Sequence, residues 1–123
     1  MYRQCIVNQF ENKVFDCSQG GIIRFGAACE ACGQIKRSRA VYFSLWDQPP
    51  ENMNKKEIRD ALWEWESGCE RDLAVEELRR QFNYCKICKR FICNHCLRIC
   101  DDTDMCVDCA ARLNETGTTI IED

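Results

Sequence analysis

Four C-x-x-C pairs punctuate the chain: Cys29 and Cys32, Cys85 and Cys88, Cys93 and Cys96, Cys106 and Cys109. Two residues between ligands allow a tight backbone turn to present both sulfurs to one tetrahedral ion, so each pair is half of a zinc site. One pair could arise by chance, but eight of 12 cysteines in this spacing form a pattern that the fold must accommodate. Cysteine at this density occurs in three kinds of protein: secreted disulfide scaffolds, iron–sulfur proteins and zinc proteins.

The rest of the sequence favours zinc. The opening "MYRQCIVNQFENK" has no apolar run long enough for a signal peptide, and no later stretch approaches a membrane span. The chain is therefore expected to be soluble and cytoplasmic, where thiols stay reduced and clustered cysteines bind metal. Its 123 residues suit one domain. The formal net charge of −3 understates its acidity. Each Zn²⁺ held by four thiolates adds a net charge of −2, taking a two-zinc protein to roughly −7. Such a total gives no support to a general nucleic-acid or membrane binder.

Chain geometry narrows the pairing. Cys85 and Cys88 are separated from Cys106 and Cys109 by 17 residues, within the usual range for one site. Cys29 and Cys32 then join Cys93 and Cys96. The expected metal ligands are thus Cys29, Cys32, Cys93 and Cys96 at site 1, and Cys85, Cys88, Cys106 and Cys109 at site 2. Four thiolates leave no coordination position for water, so both ions would be structural. Cys100 is a weaker substitute for Cys96, and His95 is expected to lie outside the coordination sphere. Cys5, Cys17 and Cys69 have no C-x-x-C partner and read as small buried apolar residues.

Outside the cysteine pairs, "CIVNQF", "KVFDC" and "GIIRF" carry strand-forming residues around the turn "SQGG". "AVYFSLW", from Ala40 to Trp46, is an expected strand ended by "DQPPEN". Residues 47–82 read as a largely helical insertion. Asn54 would cap a first helix with Glu57, burying Ile58, Ala61, Leu62 and Trp65 and ending at Gly68. A second helix, from about Glu70 to Phe82, would bury Leu73, Val75, Leu78 and Phe82. Trp63 falls off the first stripe, which leaves two readings open: an exposed anchor for a protein partner, or packing on the zinc core. "DMCVDCAARL" opens a short helix at the last cysteine pair, and residues 114–123 form a tail or closing strand.

The expected fold is α+β: a small zinc-stabilised, binuclear cross-brace treble clef with short hairpins, its zinc core at 29–32 and 85–113. The order of the pairs and the stretch "CKICKRFICNHC", with Phe91 and Ile92 before the third pair, resemble the FYVE zinc finger and, more loosely, RING and related cross-brace domains. The FYVE resemblance implies phosphoinositide binding through an Arg- and His-rich motif. Here the matching segment reads "QFNYCK", with Lys86 alone. The RING resemblance implies ubiquitin-ligase activity, although the usual histidine within the ligand series is missing.

With one histidine in the chain, no nucleophile, base and orienting group can be assembled, and the protein is expected not to be an enzyme. The expected role is a non-catalytic protein-protein interaction module, as an adaptor or small subunit of a larger assembly. One alternative is a nucleic-acid-binding zinc finger using Lys36, Arg37, Arg39, Lys89 and Arg90, with Tyr84 or Phe91 as a stacking platform. The other is a divergent RING-like ubiquitin-ligase subunit. Basic residues beside zinc thiolates more often offset their charge than recruit a ligand.

Overall fold

A computed structural model describes Ile6 and residues 9–120. Short antiparallel ribbons make up residues 15–42. β1 (Phe15–Asp16), β3 (Phe25–Ala28) and β4 (Ile35–Arg37) form a sheet in the order β1-β3-β4, while β2 (Ile22–Ile23) pairs with β5 (Val41–Tyr42). The "SQGG" segment turns as expected: Gln19 bridges Ile22 across Gly20 and Gly21, whose φ values of 59° and 80° suit a type I′ turn. Gly21 has a second constraint, since a Cβ there would lie 2.8 Å from Cβ of Trp46. The expected strand from Ala40 to Trp46 shrinks to Val41–Tyr42, because the chain turns at Ser44 to Asp47. The expected strand at "CIVNQF" lies mostly outside the described residues, and its described end, Gln9 and Phe10, is helical.

The largest departure from expectation is one helix, α1 (Met53–Arg79), of 27 residues in place of two. Its N-cap is Asn52, not Asn54: Oδ1 of Asn52 accepts from the Lys55 N–H at 2.9 Å. Gly68 does not end the helix. A glycine C-cap requires left-handed backbone, and Gly68 has no positive φ. Interior glycine costs only about 1 kcal/mol relative to alanine, a penalty that tertiary packing on both sides overcomes.

The buried side of this helix matches the expected one at Leu62, Val75 and Leu78 but not at Ile58, Ala61, Trp65 and Leu73, which are exposed. Ala74, Val75 and Leu78 are buried, and Leu62 and Trp63 pack against the core. Trp63 meets Phe43 edge-on at 5.2 Å, whereas Trp65 is 68% exposed and Ile58 and Leu73 are also exposed. Polar anchors fix this orientation. Glu66 accepts from the Ser44 N–H and Oγ, and Arg59 donates to the Leu45 and Gln48 carbonyls while its guanidinium lies over Phe43. Rotating the helix to bury Trp65 would break all of these contacts.

The C-terminal half carries hairpin β6 (Phe82–Cys85) and β7 (Arg90–Cys93), ribbon β8 (Leu97–Arg98) and β9 (Met105–Cys106), and the short helix α2 (Val107–Arg112). Phe82 therefore belongs to a strand and not to a second helix. Thr118 closes onto Ile99 through paired backbone hydrogen bonds of 2.8 and 3.0 Å, so the described tail contributes a single bridge. One buried cluster joins Phe10, Ile23, Phe25, Phe43, Val75, Leu78, Phe82, Phe91 and Ile92 with Cys29, Cys85, Cys93, Cys96, Cys106 and Cys109, and Cys88 packs against it. Phe91 packs edge-on against Phe10 at 5.0 Å and is 1% exposed, which removes it as a platform for a base. Among the described residues, no helix is long and apolar enough to cross a membrane.

Candidate metal centre

Each metal group begins with the same backbone device. After β3, the Gly33 N–H bonds the Cys29 carbonyl at 2.8 Å; after β6, the Lys89 N–H bonds the Cys85 carbonyl at 2.7 Å. Both turns place the residue after the second cysteine at positive φ, 82° for Gly33 and 62° for Lys89. These knuckles aim the two sulfurs of each pair to the same side. The second half of each group comes from elsewhere: Cys93 and Cys96 from the end of β7 and the 3-10 turn Asn94–Cys96, and Cys106 and Cys109 from the start of α2.

The structure brings the eight cysteines together in two groups. Cys29, Cys32, Cys93 and Cys96 form one, and Cys85, Cys88, Cys106 and Cys109 form the other, with all four sulfurs of each within 4.8 Å of one another. The groups interleave, first and third pairs together and second and fourth together. Sulfur separations are 3.7–3.8 Å in the first group (Cys29 to Cys96, Cys32 to Cys93, Cys93 to Cys96) and 3.7–3.9 Å in the second (Cys88 to Cys106, Cys85 to Cys109). A tetrahedron of zinc–sulfur bonds has sulfur edges of about 3.8 Å. The same distances are far longer than an S–S bond. Each group is thus of the size and donor type to hold one metal ion.

Hydrogen bonds to the sulfurs prepare some of them for negative charge. Burial opposes ionisation of Cys29, but the N–H groups of Cys32, Cys93 and Ala31 outweigh it and bring its pKa down from 9.0 to about 6. At Cys106, burial is outweighed by the Cys109 N–H and by Arg90, again to about 6. Cys85 is lowered against its burial by the N–H groups of Cys88, Cys106 and Ile87. Their neighbours move the other way. Burial and the crowding of sulfurs raise Cys93 and Cys96, and push Cys109 up to about 12. Four adjacent thiols cannot all ionise without a cation between them.

Two charged side chains support the groups: Arg90, one of the basic residues expected beside the thiolates, and Glu30, which the spacing does not mark. Arg90 faces Cys85 across the hairpin and donates to Cys88 Sγ at 3.2 Å and Cys106 Sγ at 3.4 Å. The same guanidinium reaches Asp108 at 3.0 Å and the Glu30 carbonyl at 2.8 Å, so it links site 2 to the knuckle of site 1. These bonds to Cys88, Asp108 and Cys106 raise its pKa. Glu30 sits inside the first C-x-x-C. Its carboxylate accepts from the Phe91 N–H at 2.6 Å and pairs with Lys13 at 3.0 Å, and its own N–H bonds the Phe91 carbonyl. Among the described residues, the hydrogen bonds that reach site 1 sulfurs from outside the thiols come from backbone N–H groups.

Other candidates fall outside the groups. His95 and Cys100 belong to neither. Cys69 is exposed on α1, contrary to its expected burial, because the helix presents that face outward; Cys17 is half-buried. Cys5 lies outside the described residues. Of the basic clusters, Arg90 is turned onto site 2, and Arg39 lies 3.5 Å from Glu70 while its N–H bonds Glu77.

No protein-family model matches the chain, and no curated protein or solved structure matches it.

Proposed function

We propose that the chain is a non-catalytic, zinc-stabilised protein-interaction module built on a binuclear cross-brace treble clef. The observation that carries this reading is the geometry of the two all-cysteine groups, whose sulfurs stand at tetrahedral spacing with every position taken by protein. Bound there, zinc supplies cross-links and no open site for substrate. The chain's own residues do the rest. The knuckles fix the sulfurs, Arg90 offsets thiolate charge, and Glu30 ties the first knuckle to β7. What this core then presents is α1, a long helix with an apolar outer face, which suits an adaptor or a small subunit of an assembly.

The nucleic-acid reading keeps Lys36, Arg37 and Lys89, but Arg90 and Arg39 are engaged within the chain and Phe91 is buried. The test is binding of labelled DNA and RNA by the zinc-loaded protein across a salt series. The expected outcome is weak association, in the non-specific range of about 10⁻⁴–10⁻⁶ M at physiological salt. Tight binding with a steep salt slope, lost on changing Lys36, Arg37 and Lys89, would replace the interaction reading.

A further inference from the structure

The outer face of α1 carries an apolar stripe that nothing in the described chain covers. Ile58, Trp65 and Leu73 are 52%, 68% and 54% exposed, and Cys69 is exposed between the latter two. At 100° per residue, Ile58, Trp65, Cys69 and Leu73 fall within about 80° of arc. The face opposite holds Trp63, Ala74 and Leu78 against the core. The helix is thus apolar on two sides, and its inner side alone is partnered.

The stripe is self-complementary when read backwards. If two copies of α1 lie antiparallel about a twofold axis between residues 65 and 66, Ile58 faces the second copy's Leu73. The two Trp65 side chains meet beside the axis. The flanking charges match in the same alignment: Lys55 faces Glu76. A parallel alignment would set Lys55 on Lys55 and Glu76 on Glu76, so charge selects the antiparallel pairing. Within one chain, Glu76 has only a 3.9 Å approach to Arg80, and Lys55 is exposed. An isologous contact needs one patch that fits itself, with an aromatic anchor near its centre.

We infer that the outer face of α1 is a self-association surface, pairing antiparallel with a second copy of this chain. The inference deepens the interaction reading by naming one partner, and it rests on that reading.

The test is sedimentation velocity on the full, reduced, zinc-loaded chain over a wide concentration range. The expected result is a reversible dimer that Trp65→Asp or Ile58→Asp converts to monomer, with helix content and zinc stoichiometry unchanged. Lys55→Glu and Glu76→Lys should each weaken the dimer by about three- to tenfold, and the double variant should regain the lost affinity. A monomer at every concentration, or a dimer indifferent to Trp65→Asp, overturns the inference. Failure of the double variant to recover overturns the antiparallel alignment. A monomeric chain that still binds a different protein through Trp65 would sink self-pairing and leave the interaction reading standing.

Discussion

Arg90 and Cys88, two residues apart in sequence, meet across the turn of the β6–β7 hairpin with the guanidinium Nε 3.2 Å from the sulfur. The contact places a permanent positive charge against a group that is doubly negative when zinc is bound. It also makes the two metal groups unequal, since site 2 has this partner, whereas the hydrogen bonds that reach site 1 sulfurs from outside the thiols, among the described residues, come from backbone N–H groups. Arg90→Ala should therefore lower the zinc affinity of site 2 by about tenfold, in the range seen when partners of metal ligands are removed. Competition with a chromophoric chelator measures this. Arg90→Lys should recover part of the loss, and an unchanged affinity in Arg90→Ala would show that the contact is incidental.

Acid should release the metal by protonating its thiolate ligands. The folded pKa of Cys29 and Cys106, about 6, lies below the ordinary 9.0. A depressed pKa contributes stability that is complete above 9, shrinks as pH falls toward 6 and is gone below it. The raised thiols, Cys93, Cys96 and Cys109, must lose protons when metal enters at neutral pH. Zinc uptake at pH 7 should thus release at least one proton per ion, measurable by calorimetry in buffers of different ionisation enthalpy. Protons compete with zinc for the thiolates, so zinc content and helical signal should fall together on acidification, and a protein that keeps both at pH 4 would contradict this.

The two knuckles differ at one position, and the difference has an energetic consequence. Gly33 adopts φ 82° at no steric cost, whereas Lys89 holds φ 62° against its own Cβ. Left-handed backbone costs a non-glycine residue about 1–2 kcal/mol. Gly33→Ala should destabilise the protein by about that amount, and Lys89→Gly should stabilise it by about 1 kcal/mol. Denaturant unfolding of the zinc-loaded chains decides the matter, with equal and small effects at both positions as the opposing result.

Gly68 offers a separate test of the continuous helix. A Cβ there meets nothing within 4 Å, and the residue is exposed in the middle of α1. Gly68→Ala should raise stability by about 1 kcal/mol and leave metal binding unchanged. If the helix broke at this residue in solution, the substitution would destabilise the chain by removing a left-handed cap.

These residues also show what could be read from the sequence. The cysteine groups were legible because a C-x-x-C turn is local, and tetrahedral ligation leaves few ways to combine four pairs. The "SQGG" turn was legible for the same reason, since its two glycines meet a local backbone demand. Helix α1 was misread at Gly68 because propensity marks a weak point in a helix, while packing by Trp63, Val75 and Leu78 decides whether the helix continues. Its N-terminal face was legible only at Leu62, because Ile58, Ala61 and Trp65 share the periodicity of a buried stripe yet are exposed. The contacts from Phe43 to Trp63 and from Ser44 to Glu66 reveal that Ile58 and Trp65 point outward. The charge-offsetting role of Arg90 was legible as the usual one for a basic residue beside thiolates, but which sulfurs it meets depends on the hairpin register that sets it opposite Cys85. Glu30 was illegible because its role depends on its pairing with Phe91.

The central claim is that two metal ions hold this fold together. Native mass spectrometry of the intact chain, repeated after chelation with circular dichroism alongside, tests it most directly. The account predicts two zinc ions per chain, loss of folded structure when they are removed, loss of one ion and of the fold in Cys85→Ser, and no loss in His95→Ala. A chain that carries no metal and keeps its fold, or one whose paired cysteines prove to be disulfide-bonded, would contradict it.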